Sequence, residues 1–234
     1  GTEAVMQAVR LARYHTKRKN LVRFCGAYHG WWEDVQPGPG NPMPPRETYT
    51  LSDMSERSLE VIRTRKDIAC VLVNPLQALH PNVNAPGDTT LVDSSRKAAY
   101  DRAAYTEWLH KLRQACTDNG VVLIFDEVFL GFRLAPGGAQ EYFNVTPDLA
   151  CFGKGMGNGM PISAVVGKKE IMCLMDDIFF SGTFGGETLS IAAALAVINK
   201  MQREPVIKHL WDTGQNISNQ VQTLIDDLEL QTVI

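Results

Sequence analysis

The sequence predicts an α/β protein built on a mixed, mostly parallel sheet between helices. Three observations predict it. The apolar runs IACVLV (Ile68–Val73), VVLIF (121–125) and LACF (Leu149–Phe152) are continuous, short and rich in β-branched or aromatic residues, as strands buried on both faces are. Segments with apolar residues at helical spacing alternate with them, which argues for helices on both sides of the sheet. Two of the runs also end in charge: Asp126 closes VVLIF, and Lys154 follows LACF inside Gly153-Lys154-Gly155. In open α/β sheets, functional groups collect just beyond the carboxyl ends of strands.

Taken in order, residues 3–19 place Ala4, Val5, Ala8, Val9, Leu11 and Ala12 on one helical face behind a Gly1-Thr2 start. Residues 21–24 are a short strand. GAYHGWW reads as an aromatic turn, and PGPGNPMPP cannot be regular structure. Residues 55–64 form a helix, and 74–92 are a long Pro- and Asn-containing loop of the kind that lines a site. Residues 103–118 put Tyr105, Trp108, Leu109, Leu112 and Cys116 at helical spacing and stop at Asn119-Gly120. ISAVVG (162–167) is a further strand, 169–175 a short helix and 190–201 an Ala-rich helix, with Gly182-Thr183 ahead of it as a helix start. Pro205 opens the last helix, which carries Val206, Leu210, Trp211, Ile217, Val221, Leu224, Ile225 and Leu228 on one face. No repeat or interdomain linker breaks the chain, so 1–234 reads as one domain. It opens Gly1-Thr2-Glu3 without a methionine and ends LELQTVI without a closing element, so a fragment truncated at both ends is the expectation.

Composition sets outer bounds. With 234 residues, 44% hydrophobic and 21% charged, the chain can bury one sizeable core. A net charge of −3 gives no electrostatic case for nucleic acid or an anionic membrane, and no apolar run approaches membrane-spanning length. The basic tract Lys17-Arg18-Lys19 decorates a helix end. Five cysteines are scattered without a C-x-x-C; four sit in apolar runs or on helix faces, so buried free thiols and a reducing, cytoplasmic setting are expected.

The candidate site residues each have a plainer reading. An Asp after a strand is often a turn residue or N-cap, and a lysine among glycines is often a solvated loop residue. Together they deliver a carboxylate and an amine to one cleft, and the flanking glycines let a ligand approach close enough for a Schiff base. Gly1-Thr2 at a helix start suits an anion, as does Gly182-Thr183, although any N-cap looks so. Tyr28 and His29 suit stacking on a planar ligand; a packed aromatic loop with Trp31 and Trp32 is the alternative. The glycines at 153, 155, 157 and 159 fail the dinucleotide spacing, and no phosphate-binding G-x-x-x-x-G-K-[ST] occurs. No metal-ligand spacing is present, and His80 with Ser94-Ser95 forms no hydrolase arrangement.

GTEAVMQAVRLAR, GAYHGWW, LIFDEVFLGFR, DLACFGKGMGNGMP and SGTFGGETLSIAAALA, in that order, resemble the class III aminotransferases of the fold-type-I pyridoxal-phosphate enzymes. The resemblance covers nearly the whole chain. Its first two motifs look closest to glutamate-1-semialdehyde aminomutase and to aminotransferases of polyketide or peptide biosynthesis. It implies that residues 1–234 are the cofactor-binding large domain, with the small domain absent. It implies that Lys154 holds pyridoxal 5'-phosphate as a Schiff base and shuttles a proton, and that Asp126 pairs with the pyridine nitrogen. Val128 and Tyr28 would pack on the two ring faces, Gly1 and Thr2 would bind the phosphate, and Thr183 would reach the phosphate of the partner in a homodimer. Substrates would be a small-molecule amino donor and a carbonyl acceptor. An aminomutase, which moves the amine within one molecule, and a non-catalytic scaffold that keeps the fold are the alternatives. One departure stands out: Asn74-Pro75 replaces the family's usual Glu-Pro, which bears on the substrate class. The partner of the cofactor's ring hydroxyl stays open among Asn74, Gln77, His80 and Asn82.

Overall fold

A computed structural model describes residues 1–36, 46–75 and 101–230. Helix α1 (Thr2–Thr16) leads into β1 (Asn20–Phe24), followed by β2 (Thr48–Leu51), α2 (Glu56–Thr64), β3 (Ile68–Val73), α3 (Arg102–Asn119) and β4 (Val122–Glu127). Then come α4 (Ala139–Phe143), β5 (Leu149–Phe152), β6 (Ala164–Gly167), α5 (Lys169–Met172), α6 (Thr188–Arg203) and α7 (Val206–Asp227). The strands form one sheet in the order β2-β1-β3-β4-β5-β6, with only the β5–β6 pair antiparallel. The expected mixed, mostly parallel sheet between helices is present.

Strand alternation divides the core into two layers. Leu123 and Phe125 of β4 join a cluster with Leu59 and Ile62 of α2, Trp108 and Leu112 of α3, and Phe143 of α4. Val122 and Ile124 join the opposite cluster with Val5, Ala8, Val9 and Leu11 of α1 and Ile171 of α5. The three runs read as strands lie in the middle of the sheet, with β3 and β4 buried along their whole length. α3 stops where its sequence says: Gly120 takes φ 59, and its amide bonds back to the carbonyls of Cys116 and Thr117.

Several details differ from the sequence expectation. β4 begins one residue late and runs on through Glu127, so Asp126 lies inside the strand and not past its end. α1 stops at Thr16, with Lys17 left-handed at φ 56. Arg18 does more than decorate this end: its guanidinium donates to the carbonyls of Ile68, Asn119 and Gly120, closing the carboxyl end of α3. The strand expected over 162–167 starts at Ala164, and the helix expected over 169–175 becomes a 3-10 turn from Cys173 onward. Gly182-Thr183 does not start a helix. α6 starts at Thr188, where the Glu187 carboxylate accepts from the amides of Leu189 and Ser190. Edge strand β2 (TYTL) and short α4 have too few apolar residues to show a period. All five cysteines are free; Cys70, Cys116 and Cys151 are buried, Cys25 is half-buried and Cys173 exposed, so three and not four fit the expectation. Burial pushes the Cys70 and Cys116 thiols up to about 12, so neither is a thiolate at neutral pH. The loop expected over 74–92 lies mostly outside the described residues, as do Ser94-Ser95 and the PGPGNPMPP stretch. Among the described residues no helix is long and apolar enough to cross a membrane.

The far ends of β4 and β5 are held by one buried carboxylate. Asp148 accepts from the Leu123 amide at 2.7 Å, from Arg113 of α3 at 2.8 Å, and pairs with Lys168 at 2.7 Å. Burial alone would raise its pKa, but Lys168, the Leu123 amide and Arg113 together outweigh burial and hold it below the ordinary value. Asp148→Ala is expected to lower stability by about 3 kcal/mol in urea unfolding at neutral pH. Because the folded pKa is depressed, the parent's advantage is full above the ordinary 3.8 and is lost as pH falls through the folded value.

Candidate active site

Parallel pairing of β4 and β5 sets Asp126 opposite Cys151, and Glu127 opposite Phe152. The chain leaves β5 through Gly153 and turns at once into a short 3-10 turn, Lys154–Met156. Asp126 and Lys154 therefore come from neighbouring strand ends, as their positions after two apolar runs predicted. Lys154 is exposed and left-handed, at φ 37. That conformation costs a non-glycine residue on the order of 1 kcal/mol and is common where function fixes the backbone.

Asp126 points to the α1 side of the sheet and is almost fully buried. One oxygen, Oδ2, meets His29 Nδ1 at 2.8 Å; the other, Oδ1, accepts from the Val128 amide at 3.1 Å. A carboxylate only accepts, so Nδ1 carries the proton of this bond. His29 Nε2 is buried and has no hydrogen-bond partner among the described residues. The structure thus separates Tyr28 from His29: Tyr28 is 55% exposed with its ring open, while His29 is turned inward as support for Asp126.

Three glycines gather the other candidates. A Cβ on Gly1 would come within 2.6 Å of Val128 Cγ1, and one on Gly153 within 3.2 Å of the same methyl. Val128 is thus flanked by two backbones without side chains. A Cβ on Gly30 would lie 2.7 Å from the Thr2 hydroxyl and methyl, so the Tyr28–His29 turn presses on the start of α1. Gly1 is the N-cap of α1 without a side-chain cap, leaving the first amides of the helix available to an anion.

Thr183 stands apart. It lies in the exposed turn before α6, with no hydrogen bond to the other candidates among the described residues. Asn74 follows β3 and is half-buried; Gln77, His80 and Asn82 lie outside the described residues. Sequence reasoning passed over Phe129, Arg133 and Glu127, although it had singled out the stretch that carries them. Phe129 is about half exposed, with the Lys154 Nζ 5.8 Å and the Arg133 guanidinium 4.8 Å from its ring centre. Arg133 Nε donates to the Phe129 carbonyl, and the Trp211 indole of α7 donates to the Arg133 carbonyl. This turn also packs on β5, since a Cβ on Gly131 would strike the Phe152 ring.

The turn carrying His29 depends on Gly30, whose φ is 108. Gly30→Ala adds backbone strain and a clash with Thr2, so a loss of about 2 kcal/mol or more is expected in chemical denaturation. An unchanged midpoint would show that the contact with α1 is loose.

Comparison with known proteins gives this geometry a family. The family model described as aminotransferase class-III matches residues 98–233. The chain is 36% identical to a glutamate-1-semialdehyde 2,1-aminomutase of Alkaliphilus oremlandii, over 94% of this chain and 52% of that protein. It is 38% identical to one of Hydrogenobaculum sp., over 88% of this chain and 49% of that protein. A transaminase solved with PLP bound superposes with a TM-score of 0.78 at 28% identity, over 98% of this chain and 54% of that one. The Sphingopyxis sp. MTA144 FumI protein, solved in its PLP internal aldimine form, gives 0.79 at 26% identity, over 97% of this chain and 52% of that one. The chain spans about half the length of the relatives it matches. With the fold shared and the family model covering more than half of its residues, the chain belongs to the class III aminotransferase family.

Proposed function

We propose that this chain is the cofactor-binding large domain of an aminotransferase that uses pyridoxal 5'-phosphate. The observation that carries the reading is the buried Asp126, backed by His29 and set at the strand end next to the one that delivers Lys154. The residues present fit the group. Asp126 keeps lone pairs free beyond its bonds to His29 and Val128, and accepts from a protonated ring nitrogen. Gly1 and Gly153 let two backbones approach Val128 closely, and a Cβ on Gly1 would strike its methyl. The first amides of α1 and the Thr2 hydroxyl suit a phosphate.

When bound, the protonated ring serves as the electron sink for a substrate carbanion. The chain's own residues do the rest. Asp126 holds the positive charge on the ring nitrogen, and the proton on His29 Nδ1 steadies the carboxylate in its buried place. Lys154 Nζ would supply the amine that tethers the cofactor and would hold and move a proton at the substrate carbon. Tyr28, with its ring open, would pack on the ring face opposite Val128. The substrates are a small-molecule amino donor and a carbonyl acceptor. Free buried thiols support a cytoplasmic location.

A homodimer completes the reading. Phe179, Phe180 and Phe184 near Thr183, and Leu189, Ile191 and Leu195 of α6, are exposed, and a partner surface would cover such apolar side chains. Thr183 would then reach the phosphate held by the partner. Intramolecular transfer of the aminomutase kind is the second reading, favoured by the names of the relatives at 36% and 38% identity. It differs in needing no separate acceptor. A scaffold without chemistry is disfavoured by the intact Asp126–His29 pair and Lys154.

Borohydride reduction of the full-length protein with pyridoxal phosphate, followed by peptide mapping, is expected to fix the label on Lys154. Lys154→Ala is expected to abolish labelling and turnover while changing stability by no more than about 0.5 kcal/mol. Label recovered on Lys168 or Lys169 would reassign the role. Lys168 is already committed to Asp148 at 2.7 Å, which makes it a poor substitute.

A further inference from the structure

Glu127 follows Asp126 on β4 and faces the opposite layer, with no solvent exposure. Its Oε2 accepts from the Ala139 amide, the first residue of α4, at 2.7 Å, while Oε1 is buried without a hydrogen-bond partner among the described residues. Gly138, left-handed at φ 78, has no room for a Cβ, because the Glu127 carboxyl fills that space. The Glu127 carbonyl meanwhile accepts from the Gly131 amide at 2.8 Å. One residue thus holds both ends of the 128–138 segment, which supplies Val128, Phe129 and Arg133 to the site.

The charges around it offer the carboxylate no compensation. Asp126 of its own strand is like-charged and points to the other face. Glu141 of α4 is also negative and accepts from the Gly137 amide. Arg102 of α3 donates to the Tyr142 carbonyl and lies over the Tyr142 ring. Among the described residues no cation pairs with Glu127. Burial pushes its carboxyl up to about 7; the Ala139 and Gln140 amides oppose that shift and Asp126 adds to it.

We propose that Glu127 is a positioning residue whose neutral carboxyl ties α4 and the 128–138 segment to β4, and that the tie loosens as the carboxyl ionises. The tie follows from geometry alone; its bearing on the site rests on the reading above that Val128 and Lys154 face a cofactor. The direction follows from linkage. An opened segment returns Glu127 to water and to the ordinary 4.5, whereas the closed one keeps it near 7. The closed form is favoured fully below 4.5 and progressively less as pH rises to about 7, by up to tenfold per pH unit.

Hydrogen exchange of the Ala139 and Gln140 amides in the full-length protein, corrected for intrinsic chemistry, tests the tie. In the parent, protection is expected to fall up to tenfold per unit between about pH 5 and about pH 7 and then to level off. Glu127→Gln keeps an acceptor but cannot ionise, so its protection should not depend on pH. Glu127→Met loses the acceptor and should exchange fast throughout. Identical slopes in the parent and Glu127→Gln would overturn the proposal. Equilibrium dialysis against pyridoxal phosphate tests the positioning: affinity of the parent should weaken over the same window relative to Glu127→Gln. A parent-to-variant ratio that stays constant with pH would overturn the link to the site. Absence of cofactor binding in every protein would sink the functional reading, and exchange would still decide the tie.

Discussion

The register between β4 and β5 is the constraint on which the rest depends. Side chains alternate along a strand, so a slip of one residue would exchange the faces of Asp126 and Glu127. These two carboxyls have opposite tasks. Asp126 meets His29 and the glycine-lined floor beside α1, and Glu127 ends in the apolar layer against α4. A swap would carry Asp126 into the apolar layer with Phe143 and Leu112, turn Phe125 out of it, and set Glu127 in place of Asp126 on the His29 side. The long apolar rows of β3 and β4 fix that register because both faces are covered, and Asp148 fastens its far end through the Leu123 amide.

Much of this was legible in the sequence because burial on both faces leaves a plain signature. IACVLV and LACF were placed to the residue, and VVLIF to within one residue at its start. What depends on contact across the fold was not legible. Arg18 reads as one of three basic residues, yet it reaches three carbonyls, one at the start of β3 and two at the end of α3. β2 lies at the sheet edge with half-exposed Thr and Tyr, so no apolar run announces it. α7 shows an apolar face by period, as expected, but that face is exposed, because periodicity reports what a helix can bury and not what covers it.

The candidate site divides along the same line. Asp126, Lys154 and the Gly1-Thr2 start were visible from their positions at element ends. Their assembly was not: the glycines that press on Val128 and Thr2 come from three separate segments. His29 and Tyr28 are adjacent in sequence and look alike as aromatic neighbours, yet one is buried and the other open. Only the path of the turn, set by Gly30 at φ 108, separates them.

The topology also orders events in time. Every strand pair from β2 to β5 is parallel, so each is joined by a crossover and none can zip up from a hairpin. Arg18 forms its bonds across sequence separations of 50 and 101 residues. Contacts of that kind arise late, after loop closure has been met by burial. The floor under Val128 needs α1 from the start of the chain and β5 from beyond its middle. A sheet without β5 could still pair Asp126 with His29, but the close approach of Gly153 to Val128 waits for the last crossover.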